Sequence, residues 1–103
     1  MSINMPTVTH SLDRTLAAIS DSARRKILAL LKEKGCCSIG KAAGLCACDV
    51  EERMKLSQPT ISHHMRVLME AGLIEGEKIG RWMWYRRNEP ALKKLLGALK
   101  EEL

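Results

Sequence analysis

Residues 56–73 constrain the fold of this chain more than any other stretch. Ser57 is a good helix N-cap, because its hydroxyl can accept from an amide that the first turn leaves unpaired, and Pro59 falls inside that turn. Apolar residues then recur at helical spacing, and Gly72 supplies a stop signal. We therefore predict one short helix here. Its apolar stripe consists of Ile61, Met65, Leu68 and Met69.

The other face of this helix carries side chains that end in hydrogen-bonding groups. Such a face can simply be solvated. It can also read base edges in a DNA groove, since Gln58 can pair with adenine and the hydroxyls of Thr60 and Ser62 with several groups. We expect His63 to be exposed and His64 to lie at the margin of the core with an internal hydrogen bond. The predicted DNA contacts of this helix are Gln58, Pro59, Thr60, Ser62, His63 and Arg66.

A basic hairpin follows the helix directly. Residues 74–87 have the pattern of two short strands around a turn at Gly80 and Arg81. Lys78 and Arg81 are the expected phosphate contacts, although a basic turn can also be merely solvated. A groove-sized helix followed by a basic hairpin is typical of a winged helix-turn-helix, in which the helix reads bases and the hairpin lies along the phosphates.

Alternation along the second strand of the hairpin separates two faces. Met83 and Tyr85 share one face, and Trp82, Trp84 and Arg86 share the other. We assign Met83 and Tyr85 to the core.

Helical patterns occupy most of the remaining chain. Residues 1–10 are predicted to be flexible, residues 11–19 and 23–34 to form two helices, residues 45–54 to form the first helix of the helix-turn-helix, and residues 90–103 to form a last helix. The predicted fold class is mainly α with a small β-hairpin, with about five helices and a two-stranded wing. Residues 1–103 fit a single domain.

The last helix carries an apolar stripe that is wide for the edge of a small monomer. A chain of 103 residues buries only a modest core, so that dimerisation would help it. We expect a homodimer whose interface combines the first and last helices. The predicted interface residues are Leu12, Leu16, Ile19, Leu92, Leu95, Leu96 and Leu99.

The composition of the chain indicates which classes of function it can have. The net charge of +5 and the pI near 9.2 suit a polyanionic partner. The sequence has no apolar run that could span a membrane and no secretory signal in residues 1–10, so we expect a cytoplasmic protein without a membrane partner. We find no nucleophile–base pair and no glycine loop that would cradle a phosphate, and we therefore expect no enzymatic activity.

Four cysteines cluster between residues 36 and 48. Cys36 and Cys37 begin a glycine-rich loop over residues 36–44, while Cys46 and Cys48 stand two residues apart. In a cytoplasmic protein these are thiols rather than disulfides, and thiolates select soft ions such as Zn, Cd, Pb, Cu(I) or trivalent arsenic and antimony.

Spacing limits how the thiols could bind one ion. On a regular helix, Cys46 and Cys48 would point roughly 200° apart, so both can bind one centre only if the helix start opens. The geometry favours a trigonal site of Cys46, Cys48 and one of Cys36 or Cys37, although the loop could permit all four. Alternatively, the cysteines are small buried apolar residues.

Three motifs in order resemble the ArsR/SmtB family of metal-sensing winged-helix repressors. They are residues 45–50 (LCACDV), residues 56–65 (LSQPTISHHM) and residues 80–86 (GRWMWYR). The resemblance implies a homodimeric repressor that binds double-stranded operator DNA without a cofactor and releases it on binding an inducer. It most resembles the arsenic-responsive branch, which makes Cys46 and Cys48 the metalloid ligands.

The sequence departs from this family in two respects. Some arsenic-responsive members have a third cysteine where this chain has Glu51, and this chain instead inserts residues 36–44 before the cysteine pair. We infer that Cys36 or Cys37 supplies the third thiolate. The zinc site that other members have on the last helix is absent, because residues 89–103 contain no Asp or His.

Two alternatives remain open. In one, the same fold responds to Cd, Pb or Zn, or acts as a thiol redox switch in which Cys36 or Cys37 pairs with Cys46 or Cys48. In the other, the chain is a small thiol protein that binds metal and has no DNA role; the basic wing argues against it.

Overall fold

The computed structural model describes residues 7–33 and 45–103, and the side chains of residues 12–32 and 49–103. Within these ranges five helices and a β-hairpin confirm the predicted fold class. In chain order the elements are α1 (Thr7–Ile19), α2 (Ser22–Glu33), β1 (Leu45–Cys46), α3 (Ala47–Met54), α4 (Gln58–Glu70), β2 (Ile74–Ile79), β3 (Trp82–Arg87) and α5 (Glu89–Glu102). No helix in the described ranges is both long and apolar enough to cross a membrane.

The first helix begins earlier than the sequence predicted. Residues 7–10, which we expected to be flexible, form the first turn of α1. Extending an existing helix adds one hydrogen bond for each residue that is fixed, so weak local propensity does not stop it. Residues 1–6 lie outside the described part of the chain.

The predicted first helix of the helix-turn-helix was wrong at its start. Leu45 and Cys46 form a short strand, and α3 begins only at Ala47. This strand pairs antiparallel with β3, with Leu45 opposite Tyr85 and Cys46 opposite Trp84. Hydrogen bonds to a strand forty residues away cannot be read from a local pattern, and here they replace the first helical turn.

The sheet has the strand order β1-β3-β2. Tyr85 is buried as predicted, and Met83 is half-buried against the core. Trp84, which alternation assigned to the opposite face, is also only 8% exposed. Trp84 is buried as well as Tyr85 because β3 is the central strand of the sheet, between β1 and β2, and contacts both α2 and α3.

One apolar core joins the helices to the hairpin. Its largest fully buried side chains come from α2, α3, α4 and the residue just before β2. They include three members of the apolar stripe predicted for α4, whereas the fourth, Met69, is half-buried against the core. The largest fully buried side chains are Ile27, Val50, Ile61, Met65, Leu68 and Leu73.

Asn88 connects the end of the hairpin to α5. Its side-chain oxygen accepts from the amide of Ala91 at 3.3 Å and so caps α5. Its side-chain amide donates to the carbonyl of Gly72 at 2.9 Å, and its backbone amide donates to that of Leu73 at 2.9 Å. One residue thus fixes α5 relative to the end of α4.

Candidate nucleic-acid interface

The start of α4 is fixed by its cap. Ser57 has an extended backbone (φ −68°, ψ 157°), and its hydroxyl accepts from the amide of Thr60 at 3.4 Å. Pro59 lies in the first turn, and Gly72 adopts a φ of 78° just beyond the helix. The helix predicted from the cap and stop signals is confirmed.

The outer face of α4 is polar and open to solvent. Its inner face buries Ile61, His64, Met65 and Leu68. The hydroxyls of Ser57 and Thr60 lie 2.9 Å apart, so part of the hydrogen-bonding capacity of Thr60 is used locally. The helix residues predicted to contact DNA are all exposed, and they are Gln58, Pro59, Thr60, Ser62, His63 and Arg66.

The two adjacent histidines of α4 have different environments. His63 is exposed, whereas His64 is only 8% exposed and its Nδ1 lies 3.1 Å from a guanidinium nitrogen of Arg24. The prediction that His64 bonds internally at the core margin is confirmed. Burial lowers the pKa of His64 below its ordinary value; Asp21 opposes this shift, while Arg24 and His63 add to it. Sequence reasoning missed Arg24, because it lies forty residues before its partner.

The tip of the wing presents two cations and an aromatic ring. Lys78 and Arg81 are exposed, and Gly80 makes the turn with a φ of 64°. The guanidinium carbon of Arg81 lies 5.9 Å from the centre of the Trp82 ring, which is 48% exposed. Such a pair can contact both the charge and the sugar of a nucleic-acid backbone. Alternation placed Trp82 on the outer face, but the sequence alone indicated no role for it.

Arg86 forms ion pairs within the hairpin. Its guanidinium contacts Glu75 at 2.9 Å and Glu77 at 3.7 Å across the two strands. Among the described side chains, Lys78 and Arg81 have no carboxylate within 4.0 Å. The positive charge of the wing therefore concentrates at its tip.

The cysteine cluster falls largely outside the described residues. Cys36 and Cys37 lie in the stretch 34–44, which is not described, and the structure gives only the backbone of Cys46 and Cys48. The side chains described for residues 12–32 and 49–103 contain no group of three potential metal ligands.

The apolar residues predicted for a dimer interface lie on α1 and α5, which contact each other. Leu95 is buried in the core of its own chain, whereas Leu96 is 66% exposed. The others are half-buried against the core, and they are Leu12, Leu16, Ile19, Leu92 and Leu99.

The family pattern described as "Bacterial regulatory protein, arsR family" matches residues 21–76, which run from the residue before α2 into β2. The chain belongs to the arsR family. Its members are DNA-binding transcriptional regulators rather than enzymes. The match includes α3 and α4, so that the exposed face of α4 is part of the region that defines the family.

Known relatives agree with this assignment. The arsenical resistance operon repressor of Staphylococcus aureus is 40% identical over 85 residues, which are 82% of this chain and 73% of the relative. An ArsR-like transcriptional regulator from Rhodococcus superposes with a TM-score of 0.75 at 28% identity, over 93% of this chain and 82% of the other. A homodimeric winged helix-turn-helix domain from Mycobacterium bovis has a TM-score of 0.71 at 18% identity, over 98% of this chain and 92% of its own, and shows the shared fold.

Proposed function

We propose that this arsR-family protein is a homodimeric repressor that releases its operator when cysteine thiolates bind trivalent arsenic or antimony. The observation that carries the proposal is the place of the cysteine pair in the fold. Cys46 belongs to β1, and Cys48 belongs to the first turn of α3. The name of the S. aureus relative, an arsenical resistance operon repressor, supports the choice of inducer.

The cysteine pair lies on two segments, β1 and α3, that contact the proposed DNA-binding elements. β1 pairs with β3, which is the second strand of the wing, and α3 contacts α4, whose outer face carries the predicted base contacts. An ion that draws Cys46 and Cys48 together acts on both elements at once. Release requires that the ion bind the DNA-free arrangement more tightly than the DNA-bound one.

The boundary between β1 and α3 favours a shared ion. Two cysteines at this spacing diverge on a regular helix, but Cys46 precedes α3 rather than lying within it. The third thiolate in the proposed site comes from Cys36 or Cys37, since Glu51 occupies the position of the third cysteine in some relatives. Thiolates are the ligands that soft ions prefer, and cytoplasmic cysteines stay reduced.

On DNA, we propose that the outer face of α4 reads bases while Lys78 and Arg81 contact phosphates. A second copy of the chain, packed through α1 and α5, would place a second α4 on the next half-site. The M. bovis domain, which is homodimeric and shares the fold, supports a dimer. Because phosphate contacts release counterions, the affinity for DNA should fall steeply as the salt concentration rises.

Cysteine variants separate the sensing role from the DNA-binding role. Cys46→Ser and Cys48→Ser should bind a labelled duplex from the DNA upstream of the gene as the unchanged protein does, yet should no longer release it when arsenite is added. The measurement is fluorescence anisotropy, with a phosphine reductant because dithiols would bind arsenite themselves.

Cys36→Ser and Cys37→Ser are the matched controls, and one of them should retain release if the site is trigonal. If Cys46→Ser or Cys48→Ser abolishes DNA binding in a folded protein, the thiols are structural and the sensing proposal is wrong. If Cd, Pb or Zn releases the duplex better than arsenite, the inducer is wrong. If only an oxidant releases it, the cysteines form a redox switch.

A further inference from the structure

One side chain connects three helices behind the outer face of α4. Arg24, in the first turn of α2, donates from Nε to the carbonyl of Ala18 at 2.6 Å and from Nη2 to that of Ala17 at 3.4 Å. Both carbonyls belong to the last turn of α1, whose carbonyls find no amide partner within the helix itself. The carbonyl of Ala17 also accepts from the amide of Ser20 at 3.3 Å and from its hydroxyl at 2.8 Å. The remaining guanidinium nitrogen, Nη1, lies 3.1 Å from Nδ1 of His64 on α4.

The chemistry of this contact fixes the protonation state of His64. A guanidinium has only donors and stays protonated at every pH at which a protein folds, so that Nδ1 must be the acceptor. The proton of the neutral ring therefore lies on Nε2. If Nδ1 gained a proton, the hydrogen bond would be lost and two cations would face each other 3.1 Å apart.

Three charged or titratable groups surround His64. Asp21 caps α2, accepting from the amides of Ala23 at 2.7 Å and Arg24 at 3.3 Å. Burial would raise the pKa of Asp21, but these amides and Arg24 lower it overall, so Asp21 remains a carboxylate that favours a protonated His64. Arg24 and the neighbouring His63, whose ring centre is 5.7 Å away, oppose protonation. Burial of the ring opposes it as well.

We infer that Arg24 and His64 are positioning residues for the base-reading helix, and that their bond holds α4 in its DNA-binding orientation only while His64 is neutral. His64 lies on the inner face of α4, directly after the exposed His63. Acid should therefore weaken operator binding through His64. This inference depends on DNA binding by the family and not on the inducer.

The lowered pKa of His64 determines how acid changes the free energy of unfolding. The folded protein resists protonation of His64, whereas the unfolded chain takes up the proton near the ordinary value of 6.5. The neutral His64 therefore makes its full contribution to the free energy of unfolding above that pH. This contribution is lost progressively as the pH falls towards the folded pKa.

A variant with a single histidine isolates the effect of His64 on the pH dependence of DNA binding. The chain has three histidines, at positions 10, 63 and 64, so the variant His10→Gln/His63→Gln retains only His64. Its affinity for the upstream duplex, measured by fluorescence anisotropy, should fall about tenfold between about pH 7.5 and about pH 5.5. Adding His64→Gln should abolish this fall, since the Gln amide oxygen can accept from Arg24 and does not titrate.

Two further measurements keep the inference open to refutation. Adding Arg24→Met to the one-histidine protein should reduce the pH dependence, because the opposing cation is gone. In that protein without DNA, ¹⁵N spectra of the ring should show the proton on Nε2 and an unprotonated Nδ1 near neutral pH. Parallel pH profiles with and without His64, or a proton on Nδ1, would overturn the inference. Loss of the arsenite response alone would leave it unaffected.

Discussion

Helix α4 and the junction between β1 and α3 depend on different kinds of information. α4 is specified locally, because a cap at Ser57, an apolar stripe and a stop at Gly72 lie within the helix or beside it. The junction is specified at a distance, because Leu45 and Cys46 form a strand only where Tyr85 and Trp84 are available to pair with them. In our proposal the locally specified element reads DNA, and the element specified at a distance senses the inducer.

Trp84 should be the most sensitive point of the junction. Its side chain is buried next to β1, and we find no hydrogen-bond partner for its Nε1 within the described ranges. Trp84→Ala should lower the free energy of unfolding by about 3–5 kcal/mol, through lost burial and the cavity that remains. Chemical denaturation at one fixed protein concentration measures this loss, since the stability of a dimer depends on concentration.

Trp82→Ala is the matched control in the same strand. Trp82 is half-exposed at the tip of the wing, so its removal should change the free energy of unfolding by less than about 0.5 kcal/mol. If both variants lose the same free energy of unfolding, the two tryptophans of β3 stabilise the fold equally. The contact between Trp84 and β1 would then not be a special source of stability.

The cap of α4 should have a smaller effect. Ser57→Ala removes the acceptor for the amide of Thr60 and should lower the free energy of unfolding by about 1 kcal/mol. Ser62→Ala, at an exposed position inside the same helix, should change stability by less than about 0.5 kcal/mol, as seen by denaturation under the same conditions. If the two variants are equally stable, tertiary packing alone sets where α4 begins.

The turn at Lys55, between α3 and α4, should show the smallest effect on the free energy of unfolding. A substitution there should stabilise the protein rather than destabilise it. Lys55 directly follows α3 and has a φ of 59°, a conformation that costs an L-residue roughly 1–2 kcal/mol. Lys55→Gly should relieve this strain and raise the free energy of unfolding by up to about 1 kcal/mol, after the greater freedom of the unfolded glycine is subtracted. Lys55→Ala retains the Cβ atom and should show no gain; a gain in both variants would assign the effect to the charge of Lys55.

The sequence predicted most of the fold because most of its signals are local. The helices, the caps at Ser57 and Asn88 and the hairpin turn at Gly80 each depend on neighbours within a few residues. The extra strand at Leu45–Cys46 and the burial of Trp84 depend on pairing between distant segments, and no periodicity reports them.

The features of the candidate site also divide into those that neighbouring residues specify and those that depend on how the chain packs. Exposure of the polar face of α4 follows from its helical period, and all of the contacts predicted for this helix lie there. The link from Arg24 to His64 and the exposed pair of Arg81 and Trp82 depend on how elements pack or where a turn points. A search for isolated motifs therefore could not find them.

The most direct test of the central claim is the affinity of the reduced protein for its upstream duplex, measured by fluorescence anisotropy with arsenite, antimonite, Cd, Pb and Zn in parallel. We predict that arsenite and antimonite lower the affinity by about tenfold or more, which corresponds to about 1.4 kcal/mol of coupling, and that the other ions do so less. An affinity that is unchanged by either metalloid, in a protein that binds the duplex with a steep salt dependence, would contradict the account.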